Sequence, residues 1–304
     1  MAPVALSLNE AFSAIALAFG NLHPVLGAFR TSQNIIQAVT PGSSPLLQLP
    51  YFNPEVVGSI EGQQRKGHLT VQEYMNIPDD KRRALTVGSG LLSEENYAAA
   101  VGVAKQIPVL EVSKAFFKVA GEKVITPSSL VQLVVKARFI PPGSGNVPEP
   151  TEAELEDADP DEDDIDAFVG RKPAADKDGK SAKKGDSFQP PLAQAPYLAL
   201  DYSPRWHIFL ADAKQGKMAV PPFTFATFDQ PIFDDKGNYT LNMQTLRMQF
   251  QAPPQVSDFV FTLYMVCDSY LGLDKKFEVT LHLDDPAKAV SLEEDEISEP
   301  DEGK

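Results

Sequence analysis

The hydrophobic pattern of this chain changes its period near residue 109, and that change limits the possible folds more than any other feature. From there on, the sequence contains seven candidate strands, near 109–119, 130–139, 205–211, 217–227, 244–251, 258–266 and 275–283, and three of them show clean alternation of apolar and polar residues. Such alternation is typical of strands that bury one face. Seven strands joined by proline-rich turns predict an immunoglobulin-like β-sandwich over 108–285.

The pattern before residue 108 is helical. Ser7 and Glu10 have the spacing of a capping box, and apolar residues follow at helical intervals. This apolar stripe comprises Leu8, Phe12, Ile15, Phe19 and Leu22. Thr70 with Glu73 and Ser93 mark two later helix starts. We therefore predict an α+β protein with separate domains, in which an all-α helical domain over 1–107 precedes the sandwich.

Two charged segments lack any periodicity. Residues 141–191 are densely acidic in their first part and rich in lysine in their second, and residues 286–304 are acidic again. Segments of this composition bury too little apolar surface to fold. The expectation is a disordered charged insertion within the sandwich at 141–191 and a disordered acidic tail at 286–304.

Composition and motifs argue against an enzyme and against a nucleic-acid surface. The 304 residues carry a formal net charge of −15, whereas binding to phosphates requires clustered lysine and arginine. The sequence contains no P-loop or nucleophile-elbow motif, and its four histidines have no metal-ligand spacing. We predict no catalytic residue, no cofactor and no metal. Cys267, the only cysteine, suits a reducing compartment and is expected to be a buried thiol.

Three short motifs occur in a fixed order along the chain. The first is Gln48-Leu49-Pro50, and the second is the strand that begins with Trp206. The third is the strand from 259 onward, whose ending contains Asp268, Tyr270, Gly272 and Asp274. This ordered set resembles the cytosolic (Brl) region of the SEC63 translocation-protein family, over roughly 7–145 and 190–285. The resemblance implies that the sandwich is a fibronectin type III domain.

The resemblance also implies a function and a set of partners. Members of that family lie in the endoplasmic reticulum membrane, and this region, on the cytosolic face, docks on cytosolic loops of the protein-conducting Sec channel and promotes its open state. The acidic C-terminal tail binds the basic N-terminus of a small membrane subunit, among other subunits of the Sec complex. The family's J domain, which stimulates a luminal Hsp seventy chaperone, and its membrane spans have no counterpart in this sequence, which therefore resembles the cytosolic portion alone.

Candidate contact residues lie in the first predicted strand. Phe116 and Phe117 are adjacent, so one of them should point away from the core, beside Glu111 or Lys118, and could anchor a partner. The alternative is a bulge that buries both rings. Ser291 and Ser298 fit the Ser-x-x-acidic pattern of casein-kinase-two-type enzymes and are candidate phosphorylation sites. A structural role is expected for the motif residues rather than a contact with a partner.

Two other functions stay open at this point. A spliceosomal-type RNA helicase carries a related helical and sandwich module, and the pairs Arg171-Lys172 and Lys183-Lys184 resemble a bipartite nuclear import signal. The acidic charge argues against that reading. An enzyme of unknown type is the third reading, although no motif groups reactive side chains.

Overall fold

The helices come first in the chain. The computed structural model describes residues 1–62, 67–122, 124–145, 147–157 and 187–287. Its helical region contains α1 (Ala2–Ala18), α2 (Leu22–Gln37), a 3-10 helix (Pro45–Gln48), α3 (Pro54–Glu61), α4 (Val71–Asn76), α5 (Asp79–Thr86) and α6 (Glu94–Gln106). The predicted capping box of Thr70 and Glu73 is confirmed at the start of α4, and the Ser93 side chain accepts a hydrogen bond from the Asn96 N–H at the start of α6.

Seven antiparallel strands follow and form two sheets. They are β1 (Val109–Lys118), β2 (Leu130–Ile140), β3 (Trp206–Asp212), β4 (Lys217–Phe225), β5 (Met243–Gln251), β6 (Asp258–Cys267) and β7 (Lys275–His282). One sheet has the order β1-β2-β5 and the other β4-β3-β6-β7. The combination of helices with antiparallel sheets confirms the predicted α+β class, and each of the seven predicted strands is present.

The two sheets enclose a core that continues into the helical region. Leu133 and Leu246 of the three-stranded sheet belong to the same buried cluster as Ile208 and Leu263 of the four-stranded sheet. Phe139, Trp206 and Phe228 meet edge to face, with ring centroids 4.8 to 5.5 Å apart. The cluster also includes side chains from the 3-10 helix and from α3, α4 and α6. Apolar packing therefore joins helices and sheets without a break.

Helix α2 covers the outer side of the four-stranded sheet. Val25 and Phe29 pack with Phe209 and Val266, which point away from the inter-sheet core. Phe29 also stacks on the ring of His207, with centroids 4.6 Å apart. An outer-face residue of an isolated sheet would be exposed, but the side chain of His207 is only 12% exposed. The helix explains this difference, because it buries a sheet face that an isolated sandwich would leave in water.

The first helix differs from its prediction. It begins at Ala2, so Ser7 lies inside the helix and forms no capping box. Leu6 and Ala16 face the protein, and the Asn9 amide donates to the Ala28 carbonyl and the Ser32 hydroxyl. The predicted apolar stripe is therefore turned outward: Leu8, Phe12, Ile15 and Phe19 are 68%, 50%, 58% and 71% exposed.

The predicted disorder of 141–191 is wrong at both ends of that segment. A short helix, α7 (Glu152–Leu155), begins with a capping box formed by Thr151 and Glu154. Phe188 forms a β-bridge with Phe228. Residues 158–186 and the tail from 288 lie outside the described residues, so the expectation of disorder there stays a prediction. Within the described ranges, no helix combines the length and apolar character needed to cross a membrane.

Candidate functional site

Two of the predicted motifs meet in space, although more than 200 residues separate them in sequence. The Gln48 side-chain amide donates to the Leu271 carbonyl at 3.0 Å and accepts from the Leu271 N–H at 3.1 Å. Gln48 is the last residue of the 3-10 helix, and Leu46 and Leu49 on either side of it are buried. Pro50, the next residue, is half-buried. The paired hydrogen bonds satisfy both backbone polar groups of Leu271, in the turn between β6 and β7.

Two more glutamines, both on α2, form hydrogen bonds with the same turn. Gln37 Nε2 donates to the Ser269 carbonyl at 2.7 Å. Gln33 Nε2 donates to the Cys267 carbonyl at 2.7 Å and to Asp274 Oδ1 at 2.9 Å. Both glutamine side chains are buried, so the loss of these hydrogen bonds would leave buried polar groups with neither a protein partner nor water. Three amides from the helical region thus hold the turn in place.

Gly272 lets the turn approach the helices closely. Its φ is +79°, a conformation that favours glycine. A Cβ at this position would lie 3.2 Å from Thr70 Cγ2, at the start of α4. A side chain here would therefore be strained by its backbone and crowded by its neighbour.

Asp268, next to this turn, is a buried carboxylate. Its oxygens accept from Arg205 Nε at 2.7 Å, from the Arg205 N–H at 3.1 Å and from the Tyr202 hydroxyl at 2.8 Å. His207 Nε2 lies 3.7 Å away. Burial alone would raise the pKa of Asp268, but the hydrogen bond from His207 and the charge of Arg205 hold it below its usual value. The carboxylate therefore stays ionised inside the protein.

The remaining motif residues are packed. Trp206 is 1% exposed, between the two sheets, and Tyr270 is 2% exposed with its hydroxyl accepting from the Gln194 N–H at 2.9 Å. Cys267 is fully buried, and burial raises the pKa of its thiol to about 12, so the expected inert thiol is confirmed. The structure thus brings Gln48, Asp268, Tyr270, Gly272 and Asp274 to one joint between helices and sheets.

The candidate contact residues of β1 separate into two groups. Phe117 packs against the core, edge to face with Phe250 at 6.0 Å, whereas Phe116 is outside that cluster, with Lys114 Nζ 5.2 Å from its ring centroid. The pair does not form the bulge that would bury both rings; the register shift lies earlier, between Val112 and Lys114. Glu111 is exposed at the cleft between α4, α5 and the start of β1.

Lys118 is engaged within the chain. Its ammonium lies 2.7 Å from the carboxylate of Asp157, which also contacts Lys136 and Arg247. Sequence reasoning missed Asp157, because it belongs to an acidic segment without periodicity. It also missed Gln33 and Gln37, whose only signal is two amides four residues apart on an otherwise apolar face of α2. Ser291 and Ser298 lie outside the described residues.

Nothing in the described ranges groups three histidine, cysteine, aspartate or glutamate side chains as a metal ion would require. The buried carboxylates of Asp268 and Asp157 are paired with cationic side chains of the same chain. The arrangement holds the β6–β7 turn in a fixed position against the helical region.

Comparison with known proteins identifies relatives over almost the whole chain. No protein-family model matches. The translocation protein sec63 of Schizosaccharomyces pombe is 25% identical over 293 residues, which cover 95% of this chain and 44% of the relative. The protein translocation protein SEC63 of Saccharomyces cerevisiae is 26% identical over 328 residues, covering 96% of this chain and 45% of the relative. Over nearly its whole length, this chain is therefore similar to two SEC63 translocation proteins.

The chain spans less than half the length of the two yeast relatives. A DExH-box ATP-dependent RNA helicase of Arabidopsis thaliana, DExH13, is 21% identical over 276 residues, which are 90% of this chain but 10% of the helicase. The helicase match is weak beside the two yeast matches. The resemblance inferred from the three motifs is therefore confirmed at the level of the family.

Proposed function

We propose that this chain is a cytosolic interaction module of the post-translational protein translocation complex of the endoplasmic reticulum. In this proposal it docks on cytosolic loops of the protein-conducting channel and favours the channel's open state. The names of the two yeast relatives support a role in translocation. The observation that carries the docking surface is the outward position of Phe116 on a strand at the margin of its sheet.

The proposed architecture is a helical domain over 1–107 followed by a fibronectin type III-like sandwich. The strand orders β1-β2-β5 and β4-β3-β6-β7 support this assignment, since each sheet is antiparallel and both share one core. The glutamine contacts of the β6–β7 turn join the two regions, which supports a rigid module that presents its surfaces in a fixed relative position.

The surface around Phe116 has the composition of a small binding site. Phe116 and the alkyl chain of Lys114 offer apolar area, and Glu111 supplies an exposed carboxylate on the same strand. A few apolar or aromatic anchors usually provide most of the binding free energy at protein interfaces. An acidic neighbour would orient a basic loop by charge complementarity. These features support a partner whose loop combines an apolar contact with basic residues.

Replacing Phe116 with serine tests this surface. We expect the Phe116→Ser variant to keep its circular dichroism spectrum and melting temperature, because the ring lies outside the core, and to lose most of its co-purification with the channel. Val260→Ser is the matched control, since Val260 is a 55% exposed apolar residue on β6 of the other sheet and should be neutral. A folded Phe116→Ser protein that co-purifies as the wild type does would refute the docking site.

The acidic tail is proposed to bind the basic N-terminus of a small membrane subunit, with Ser291 and Ser298 as phosphorylation sites. Seven acidic residues between 293 and 302 support an electrostatic contact. Deleting 291–304 should weaken binding of the basic partner, and the intact contact should weaken as ionic strength rises, because exposed charges are screened. Isothermal titration at two salt concentrations measures both effects; unchanged affinity after the deletion would contradict the tail's role.

The helicase function is not favoured. The net charge of −15 opposes contact with RNA, and the helicase match covers a small part of that protein. No specific surface of the described residues favours it.

A further inference from the structure

Three cations converge on one buried carboxylate outside the sandwich core. Asp157 lies 2.7 Å from Lys118 Nζ, 3.6 Å from Lys136 Nζ and 2.5 Å from Arg247 Nη2. Its side chain is 2% exposed, and that of Lys136 is 8% exposed. Burial alone would raise the pKa of Asp157, but hydrogen bonds from Arg247 and Lys118 hold it below its usual value. The site binds an ionised carboxylate.

The cations are arranged by strand register. Lys118, Lys136 and Arg247 occupy β1, β2 and β5, the three adjacent strands of one sheet. Their neighbours in sequence, Phe117, Val135 and Leu246, face the inter-sheet core, so the cations point to the opposite side. We call this side of the three-stranded sheet its outer face. The residues at the central strand's outer positions, Gln132, Val134 and Lys136, are buried, so the middle of this face is covered rather than open to water.

The segment that contains Asp157 makes few other contacts within the described residues. Residues 147–157, here called the acidic strap, contain Glu149, Glu152, Glu154, Glu156 and Asp157, and no residue of the strap is buried as a whole. Its helix α7 is four residues long, and its capping box is internal to the strap. Leu155 borders the cleft beside Arg138 but is only half-buried. Among the contacts of the described residues, the ion pairs of Asp157 and the hydrogen bond from Lys118 Nζ to its carbonyl hold this end of the strap.

We propose that the outer face of the three-stranded sheet is a binding surface for an acidic peptide of a partner protein, which the acidic strap occupies in cis through Asp157. A cation cluster that already holds a carboxylate with so little apolar support will exchange it for a similar one, since charge and geometry are matched. Asp229 also acts by its charge on Lys136 and Arg247, but removing Asp157 would take away the carboxylate that contacts all three cations, which favours an acidic ligand supplied in trans. The inference does not depend on the proposed docking of Phe116 on the channel.

A labelled peptide that copies residues 147–157 provides the probe. Fluorescence anisotropy should show at least tenfold tighter binding to the Asp157→Asn chain than to the wild type, because the cis competitor is weakened. Adding Lys136→Met and Arg247→Met to Asp157→Asn should abolish binding. Glu152→Gln removes an exposed strap carboxylate without touching the cluster and should behave as the wild type. A peptide with asparagine at the position of Asp157 should bind at least tenfold more weakly.

Each outcome decides the proposal. Equal affinity of the peptide for the wild type and Asp157→Asn, or absence of binding to both, overturns it, and so does binding that survives the loss of Lys136 and Arg247. Circular dichroism checks that each variant is folded. If Asp157→Asn is not folded, Asp157→Glu keeps the charge while its longer side chain misplaces the carboxylate; it should bind the peptide more tightly than the wild type, and equal affinity would again refute the proposal.

Discussion

Asp268 and Asp157 are both buried, ionised carboxylates, yet they are held in different ways. Asp268 accepts hydrogen bonds from the side chains of Tyr202 and Arg205, which lie in the loop directly before β3, and it also accepts the backbone N–H of Arg205. Asp157 contacts three long cationic side chains on three strands. Asp268 lies at the end of β6, within the fold. Asp157 lies at the end of a segment that packs against the outer face of the three-stranded sheet.

We therefore expect Asp268 to be an integral part of the fold and Asp157 to form a contact that can be removed. When Asp268 loses its charge, its partners cannot leave, since β3 and the neighbouring loop are fixed by the core. When Asp157 loses its charge, the strap can lift away and the cations can return to water. Similar burial and a similar direction of the pKa shift therefore lead to different expected consequences.

The largest effect is expected at Asp268. Asp268→Asn should lower the free energy of unfolding on the order of 3 kcal/mol at pH 7, because an amide replaces the buried charged acceptor of the Tyr202 hydroxyl and of the Arg205 guanidinium. The folded-state pKa of Asp268 lies below its unfolded value, so its contribution is present above about pH 4 and is lost as the pH falls further. Urea unfolding of both proteins at pH 7 and pH 3 measures this, and the difference should shrink at pH 3.

The matched control is an exposed carboxylate in an ion pair of the same length. Asp258 lies 2.7 Å from His282 Nδ1, and both side chains are 68% exposed. Asp258→Asn should change stability by less than about 1 kcal/mol, because water screens such pairs. If the two substitutions cost the same, the burial of Asp268 would not be what makes it important.

The two carboxylates also differ in how far the sequence reveals them. Asp268 belongs to a motif that follows a clear strand pattern, so its place at the end of β6 was predictable. The partners of Asp157 appeared only as polar positions of alternating strands, a pattern equally consistent with a solvated face. Periodicity gives which side of a strand a residue occupies, but not which other part of the chain covers that side.

The same limit explains the first helix and the glutamine joint. Leu8 and Phe12 have helical spacing, as predicted, yet α1 packs on α2 through its other side, with Leu6 and Asn9. The apolar spacing predicted the helix but not which of its sides packs against the protein. Gln33 and Gln37 gave no signal as sheet contacts, because their partners are backbone carbonyls more than 230 residues away. The seven strands, in contrast, depend on local alternation and were predicted within a few residues of their bounds.

A smaller loss of stability is expected for a substitution of Asp157. Its size tests whether Asp157, unlike Asp268, forms a removable contact. Asp157→Asn should lower the free energy of unfolding by only about 1 kcal/mol at pH 7, since the strap can detach while the sheet beneath it stays folded and Lys118 and Arg247 regain water. The pKa of Asp157 is also lowered in the folded state, so the difference from the wild type should vanish as the pH falls below about 4. Urea unfolding at pH 7 and pH 3 measures both values, with Glu152→Gln as a neutral control. A loss at pH 7 as large as that of Asp268→Asn would mean that the strap is an integral part of the sandwich and not a removable occupant of its outer face.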